Sequence, residues 1–168
     1  EKVNTLINHI QAYLYQKREW NPRWENAFAP ALCNRIDRNT GGMVIAAKNA
    51  ETLRIINEKI RLREIDKRYL CITVGRPKPP EGRIECFLLK DEQKKQVAVY
   101  HRPVPGGKTA VTDYRTLETR GELSLVEVGL ETGRTHQIRA SFADLGCPLL
   151  GDGKYGRGDV NRRHGETR

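Results

Sequence analysis

Three short segments of the chain combine ionisable side chains with residues that turn the backbone: 34–42 (Asn-Arg-Ile-Asp-Arg-Asn-Thr-Gly-Gly), 67–75 and 132–139. In the first, Asp37 lies between Arg35 and Arg38, just ahead of Gly41 and Gly42. An aspartate, with an ordinary pKa of about 3.9, is ionised at neutral pH, and a nearby guanidinium favours that state, so the carboxylate is available for nucleophilic or electrostatic work. Tyr69 in the second segment adds an aromatic ring that carries an ionisable hydroxyl. The third supplies Arg134, His136 and Arg139, and an arginine fork stays charged in a cleft where a desolvated lysine would not. Each residue alone has a plainer account: Asp37 capping a turn, Tyr69 filling a core, Arg139 lying at the surface.

Each segment needs an element to hold it. Asn4 or Thr5 can cap a helix in which Leu6, Ile7, Ile10 and Leu14 recur at helical spacing. Residues 20–30 carry two prolines and no period, so they read as a loop anchored by Trp20 and Trp24. Met43 to Ala47 reads as a short strand leading to Asn49, which can cap a helix presenting Leu53, Ile56 and Ile60. Lys67 to Gly75 alternates as a strand does, and its pattern places Leu70, Ile72 and Val74 on the apolar face, with Tyr69, Cys71 and Thr73 opposite. Further strands are expected over 84–89, 97–100, 110–117 and 123–130, and short links between them favour antiparallel pairing. Thr135 can cap a last helix that buries Ile138, Phe142 and Leu145, leaves Arg139 at the edge of the buried face, and stops at Gly146.

Thirty Lys and Arg against 21 Asp and Glu give a net charge of +9 and a pI near 9.6, a balance suited to a polyanionic partner. The 168 residues suit a single domain. The chain opens without Met and stops in a charged run, as a domain truncated at both ends would. Cys33, Cys71, Cys86 and Cys147 have neither CxxC spacing nor His partners at zinc-site spacing. Reduced thiols and a cytoplasmic protein are the expectation, with no metal. No apolar run approaches the roughly 20 residues that span a bilayer, so no membrane partner is expected. Residues 151–156 are glycine-rich but lack phosphate-loop spacing and read as a structural turn.

Taken together, the three segments resemble, in order, the three motifs of the RluA-like pseudouridine synthases, which isomerise uridine within structured RNA. Asn34 to Gly42 resembles the first motif, Lys67-Arg68-Tyr69 the second and Thr132 to Arg139 the third, and the likeness extends to the turn from Leu150 to Gly156. Asn34 stands where the family commonly has His, and Gly41 where it commonly has Ser; neither position carries the nucleophile. The resemblance implies an α+β fold with a central mixed, mostly antiparallel sheet flanked by helices. It implies Asp37 as the essential carboxylate with Arg139 as its partner, Tyr69 stacking on the target base, and Arg35 entering the RNA where the uridine is extruded. Arg134 and His136 become candidate RNA contacts, though His136 could equally anchor its turn. The implied partner is RNA, large-subunit ribosomal RNA first and transfer RNA second, acted on by a monomer without cofactor.

Two other readings share these residues. An RNA-binding module that has lost catalysis would have had no reason to keep Asp37, Tyr69 and Arg139 together. A glycoside hydrolase would need a second placed carboxylate, and neither Asp113 nor Asp152 lies in a recognisable partner motif.

Overall fold

A computed structural model describes residues 4–165. The fold divides into two compact units, Glu1–Ile65 and Asp66–Arg168.

In the first unit, helix α1 (Leu6–Gln16) starts at Thr5, whose N–H donates to Asn8 Oδ1 at 3.3 Å. Its inner stripe is narrower than expected: Leu14 is buried and Ile7 and Ile10 half-buried, but Leu6 is exposed. Of the two tryptophans in the following loop, Trp20 is half-buried and Trp24 is exposed. Strands β1 (Ala31–Leu32) and β2 (Ala46–Ala47) then pair antiparallel, so only the end of the expected strand over 43–47 is strand. The cap of α2 (Ala50–Arg61) is as expected, with Asn49 Oδ1 accepting from Thr52 N–H at 2.8 Å. Leu53, Ile56 and Ile60 form its inner face, while Glu51 in the first turn and Lys59 and Arg61 in the last complement the helix dipole.

The second unit is built on five strands: β3 (Arg68–Val74), β4 (Glu81–Asp91), β5 (Gln96–Tyr100), β6 (Lys108–Arg120) and β7 (Leu123–Leu130). Their order is β3-β7-β6-β4-β5 and every pairing is antiparallel. This bears out the expected α+β fold, with helices α3 (Gln137–Asp144) and α4 (Gly158–Arg163) beside the sheet; α4 was not foreseen. Helix α3 packs one sheet face through Ala140 against Cys86, Leu88, Val97 and Ala110, and through Phe142 against Tyr114, Val126 and Val128. The Tyr114 and Phe142 rings meet edge to face, 5.5 Å between centroids.

The face assignment of β3 is reversed at Leu70 and Ile72, while Val74 is buried as expected. Leu70 and Ile72 are 66% and 44% exposed, whereas Thr73 is buried and Tyr69 and Cys71 pack against the Tyr114–Phe142 cluster. The register with β7 decides this. Tyr69 lies opposite Val128, Cys71 opposite Val126 and Thr73 opposite Ser124, and residues directly opposite share a face. Because α3 covers the face of Val126 and Val128, β3 turns its odd-numbered residues inward and leaves Leu70 beside Glu127. On that outer face Glu127 accepts from Arg68 at 3.3 Å and from Arg115 at 3.5 Å, and Arg83 pairs with Glu85, Asp113 and Glu131.

Candidate functional site

Asp37 belongs to the loop between β1 and β2 in the first unit. The loop is closed at its base by a side chain acting as backbone. Cys33 N–H donates to Ile45 C=O at 2.8 Å, and one residue on, Asn34 Oδ1 accepts from Ile45 N–H at 2.7 Å while its Nδ2 donates to Met43 C=O at 3.3 Å. The amide thus continues the ladder beyond the two-residue strands. At the tip, Thr40 N–H donates to Asp37 C=O at 3.1 Å. Asn39 takes a left-handed φ of 69°, a conformation that asparagine tolerates better than most side chains, so the turn follows from the local sequence. Asp37 is half-buried, and Arg35 and Arg38 on either side of it are exposed.

The other residues singled out lie in the second unit. Tyr69 is near the start of β3, half-buried on the α3 side. The segment before α3 is organised by Gln137, which is only 2% exposed. Its Oε1 accepts from Thr132 Oγ1 at 2.8 Å and from Arg134 N–H at 3.0 Å, and its Nε2 donates to Val111 C=O at 3.0 Å and Thr112 Oγ1 at 2.9 Å. One amide therefore ties the turn over 132–134 to β6 with both its donor and acceptor capacity engaged.

The expected cap at Thr135 is displaced by one residue. His136 is the N-cap, in a left-handed conformation with φ 53°, and Ala140 N–H donates to its carbonyl at 2.8 Å. The Gln137 side chain holds the backbone just ahead of this reversal, at Arg134 N–H. His136 Nδ1 is hydrogen-bonded to Tyr155 Oη at 2.9 Å, and that hydroxyl also accepts from Val97 N–H at 2.7 Å, so His136 anchors its turn. Arg134 is exposed, and its Nε donates to Thr109 C=O at 2.9 Å.

Arg139 sits at the edge of the buried face, as its place one residue after Ile138 predicts; its side chain is 22% exposed. Within its own unit it meets Asp152, a carboxylate to which the sequence assigned no partner. Nε and Nη2 donate to Asp152 Oδ2 and Oδ1 at 2.7 and 3.0 Å. Asp152 Oδ1 also accepts from the N–H groups of Lys154 and Tyr155 at 2.8 and 3.1 Å. Burial by itself raises the Asp152 carboxyl, but the Arg139 bonds and the two backbone N–H groups outweigh it and hold the group below its ordinary range. The Tyr155 ring lies 5.3 Å from the guanidinium carbon.

The turn over 150–156 closes as tightly as backbone allows. Gly156 N–H donates to Asp152 C=O at 3.0 Å, and a Cβ on Gly156 would lie 2.2 Å from that oxygen. The signal for Asp152 was present in the sequence: an acid among glycines in a tight turn is surrounded by amide donors. Gln137 gave no such signal, since a helix glutamine is ordinarily a surface residue.

Residues 7–144 match the family model described as RNA pseudouridylate synthase. An uncharacterized RNA pseudouridine synthase of Chloroflexus aurantiacus is 40% identical over 128 residues, covering 76% of this chain and 39% of the relative. Ribosomal large subunit pseudouridine synthase D of Borreliella burgdorferi is 36% identical over 157 residues, covering 94% of this chain and 46% of the relative. The chain thus spans less than half the length of these two relatives. Among solved structures, human RNA pseudouridylate synthase domain containing 4 superposes with a TM-score of 0.72 at 27% identity, over 92% of this chain and 61% of that one. No helix among the described residues is long and apolar enough to cross a membrane.

Proposed function

Because the chain belongs to the RNA pseudouridylate synthase family, we propose that it isomerises specific uridines to pseudouridine in structured RNA, with Asp37 as the essential carboxylate. The observation that carries this reading is the family match over residues 7–144, which takes in Asp37, Tyr69 and Arg139 on one continuous stretch. In the reaction the N1–C1′ bond breaks, the uracil turns and a C5–C1′ bond forms; the C5 proton is lost and N1 gains one. Atoms and electrons balance within the nucleotide, so no redox cofactor is called for.

Asp37 acts on the sugar or base while the glycosidic bond is broken. Tyr69 supplies the ring on which the uracil stacks and a hydroxyl near the proton transfers. Arg139 supplies a guanidinium that stays charged away from water. Arg35, exposed two residues before Asp37, occupies the place left when the uridine leaves its stack, a step costing a few kcal/mol. Arg134 and His136 border the RNA, His136 through the ring edge its Tyr155 contact orients. Large-subunit ribosomal RNA is the proposed substrate, favoured by the Borreliella burgdorferi relative being named a ribosomal large subunit enzyme.

The test is to incubate the chain and its Asp37→Asn variant with large-subunit ribosomal RNA and with transfer RNA, then map pseudouridine chemically. Modification of ribosomal RNA by the parent and loss of it in Asp37→Asn are expected. Modification of transfer RNA alone would overturn the substrate, equal activity in both proteins would remove Asp37 from its role, and RNA binding without modification would leave a binding module.

A further inference from the structure

We propose that Asp152 is the positioning residue for Arg139, a buried carboxylate whose fork fixes the direction in which the guanidinium faces. The inference rests on Arg139 acting in the proposed reaction, but its geometry stands on its own.

Three observations converge on it. The contact is bidentate, through Nε and Nη2; in a planar group, holding that edge fixes the direction of the Nη1 edge as well. Asp152 is itself immobilised: its side chain is 3% exposed, its Oδ1 accepts two backbone N–H groups, and its carbonyl is locked against Gly156. The same turn brings Tyr155 to the guanidinium, and the Tyr155 hydroxyl is held by Val97 N–H and His136. The turn over 150–156 and the start of α3 thus form one unit around Arg139, with Asn161 fastening its far side: Asn161 Oδ1 accepts from Gly151 N–H at 2.9 Å and its Nδ2 donates to Asp152 C=O at 3.3 Å.

A carboxylate buried this deeply is a costly way to add stability, because desolvation offsets much of the attraction. An apolar pair would pack as well. What the ion pair adds is orientation, which matters for a side chain with four rotatable bonds that must meet one developing charge.

Two measurements on the whole chain test this. The first is the 15N–1H resonance of Arg139 Nε at pH 7, assigned by its loss in Arg139→Lys. A protected, slowly exchanging signal is expected, and a signal exchanging as fast as that of free arginine would overturn the clamp whatever the activity proves to be. The second compares Asp152→Asn, Asp152→Glu and Arg139→Ala in steady-state modification of RNA. Asp152→Asn keeps an acceptor for the backbone N–H groups; kcat is expected to fall 10- to 100-fold while KM stays within about twofold. Asp152→Glu, which keeps the charge, is expected to recover part of that loss. Folded Asp152→Asn with parental kcat beside an inactive Arg139→Ala would overturn the positioning role. A fully active Arg139→Ala would instead overturn the reading of Arg139 on which the proposal rests.

Discussion

Replacing Gln137 by Glu changes one atom and tests whether the buried amide organises the segment ahead of α3. Oε1 and its two donors, Thr132 Oγ1 and Arg134 N–H, would be unaffected. Nε2 would become an oxygen 3.0 Å from Val111 C=O and 2.9 Å from Thr112 Oγ1. The Thr112 hydroxyl can turn and donate; the Val111 carbonyl cannot. One buried hydrogen bond is lost and its acceptor stranded, at about 1–3 kcal/mol. Facing a carbonyl oxygen in a site this dry costs the ionised carboxyl about 1–2 kcal/mol more. A loss of about 3 kcal/mol at pH 7 is expected, which for a chain of this size lowers Tm by roughly 10 °C.

The pH dependence distinguishes this cause from generic damage. Protonated, the introduced carboxyl can donate to Val111 C=O, so its pKa is raised in the folded state. The stability it restores is fully present below the unfolded glutamate value of about 4.3 and is lost as pH rises through the raised folded value. Thermal unfolding followed by circular dichroism at pH 5 and pH 7 should therefore show the gap to the parent narrowing at the lower pH. An equal gap at both pH values, or a variant within 1 kcal/mol of the parent at pH 7, would refute the role given to Gln137.

Phe142→Ala, which empties a fully buried position against Tyr114, Val126 and Val128, should cost about 3–5 kcal/mol in urea unfolding. The Asp152 carboxyl is held below its ordinary value of 3.8, so its contribution is present above that pH and lost as pH falls through the lowered value. In Asp152→Asn the acid limb of the stability curve should flatten below about pH 4. Burial pushes the Cys71 thiol up to about 12; at pH 8 roughly one in ten thousand is thiolate, and mass spectrometry after iodoacetamide should find Cys71 unmodified until the protein is unfolded. Asn34→Ala removes both side-chain bonds at the base of the Asp37 loop, and hydrogen exchange of Ile45 N–H should quicken at least tenfold with α2 unaffected.

What the sequence determined alone was local. Asn49 as a cap, the stripe Leu53-Ile56-Ile60, the turn at Asn39 and the end of α3 before Gly146 each depend on residues within one helical turn or one reversal. The family resemblance, carried by short motifs in order, was legible for the same reason. The tertiary structure decided everything that a partner strand or a distant side chain sets. Alternation gave β3 two faces but could not say which is inner, because the answer lies in its register with β7 and in α3 covering only one side. Asn34 extends a ladder whose other half is eleven residues away. Arg139 could be placed at the edge of a helix face from spacing, yet the carboxylate that orients it stands thirteen residues on. A buried charge takes its partner from wherever the fold brings an acceptor into the same dry volume, and no local pattern encodes that meeting.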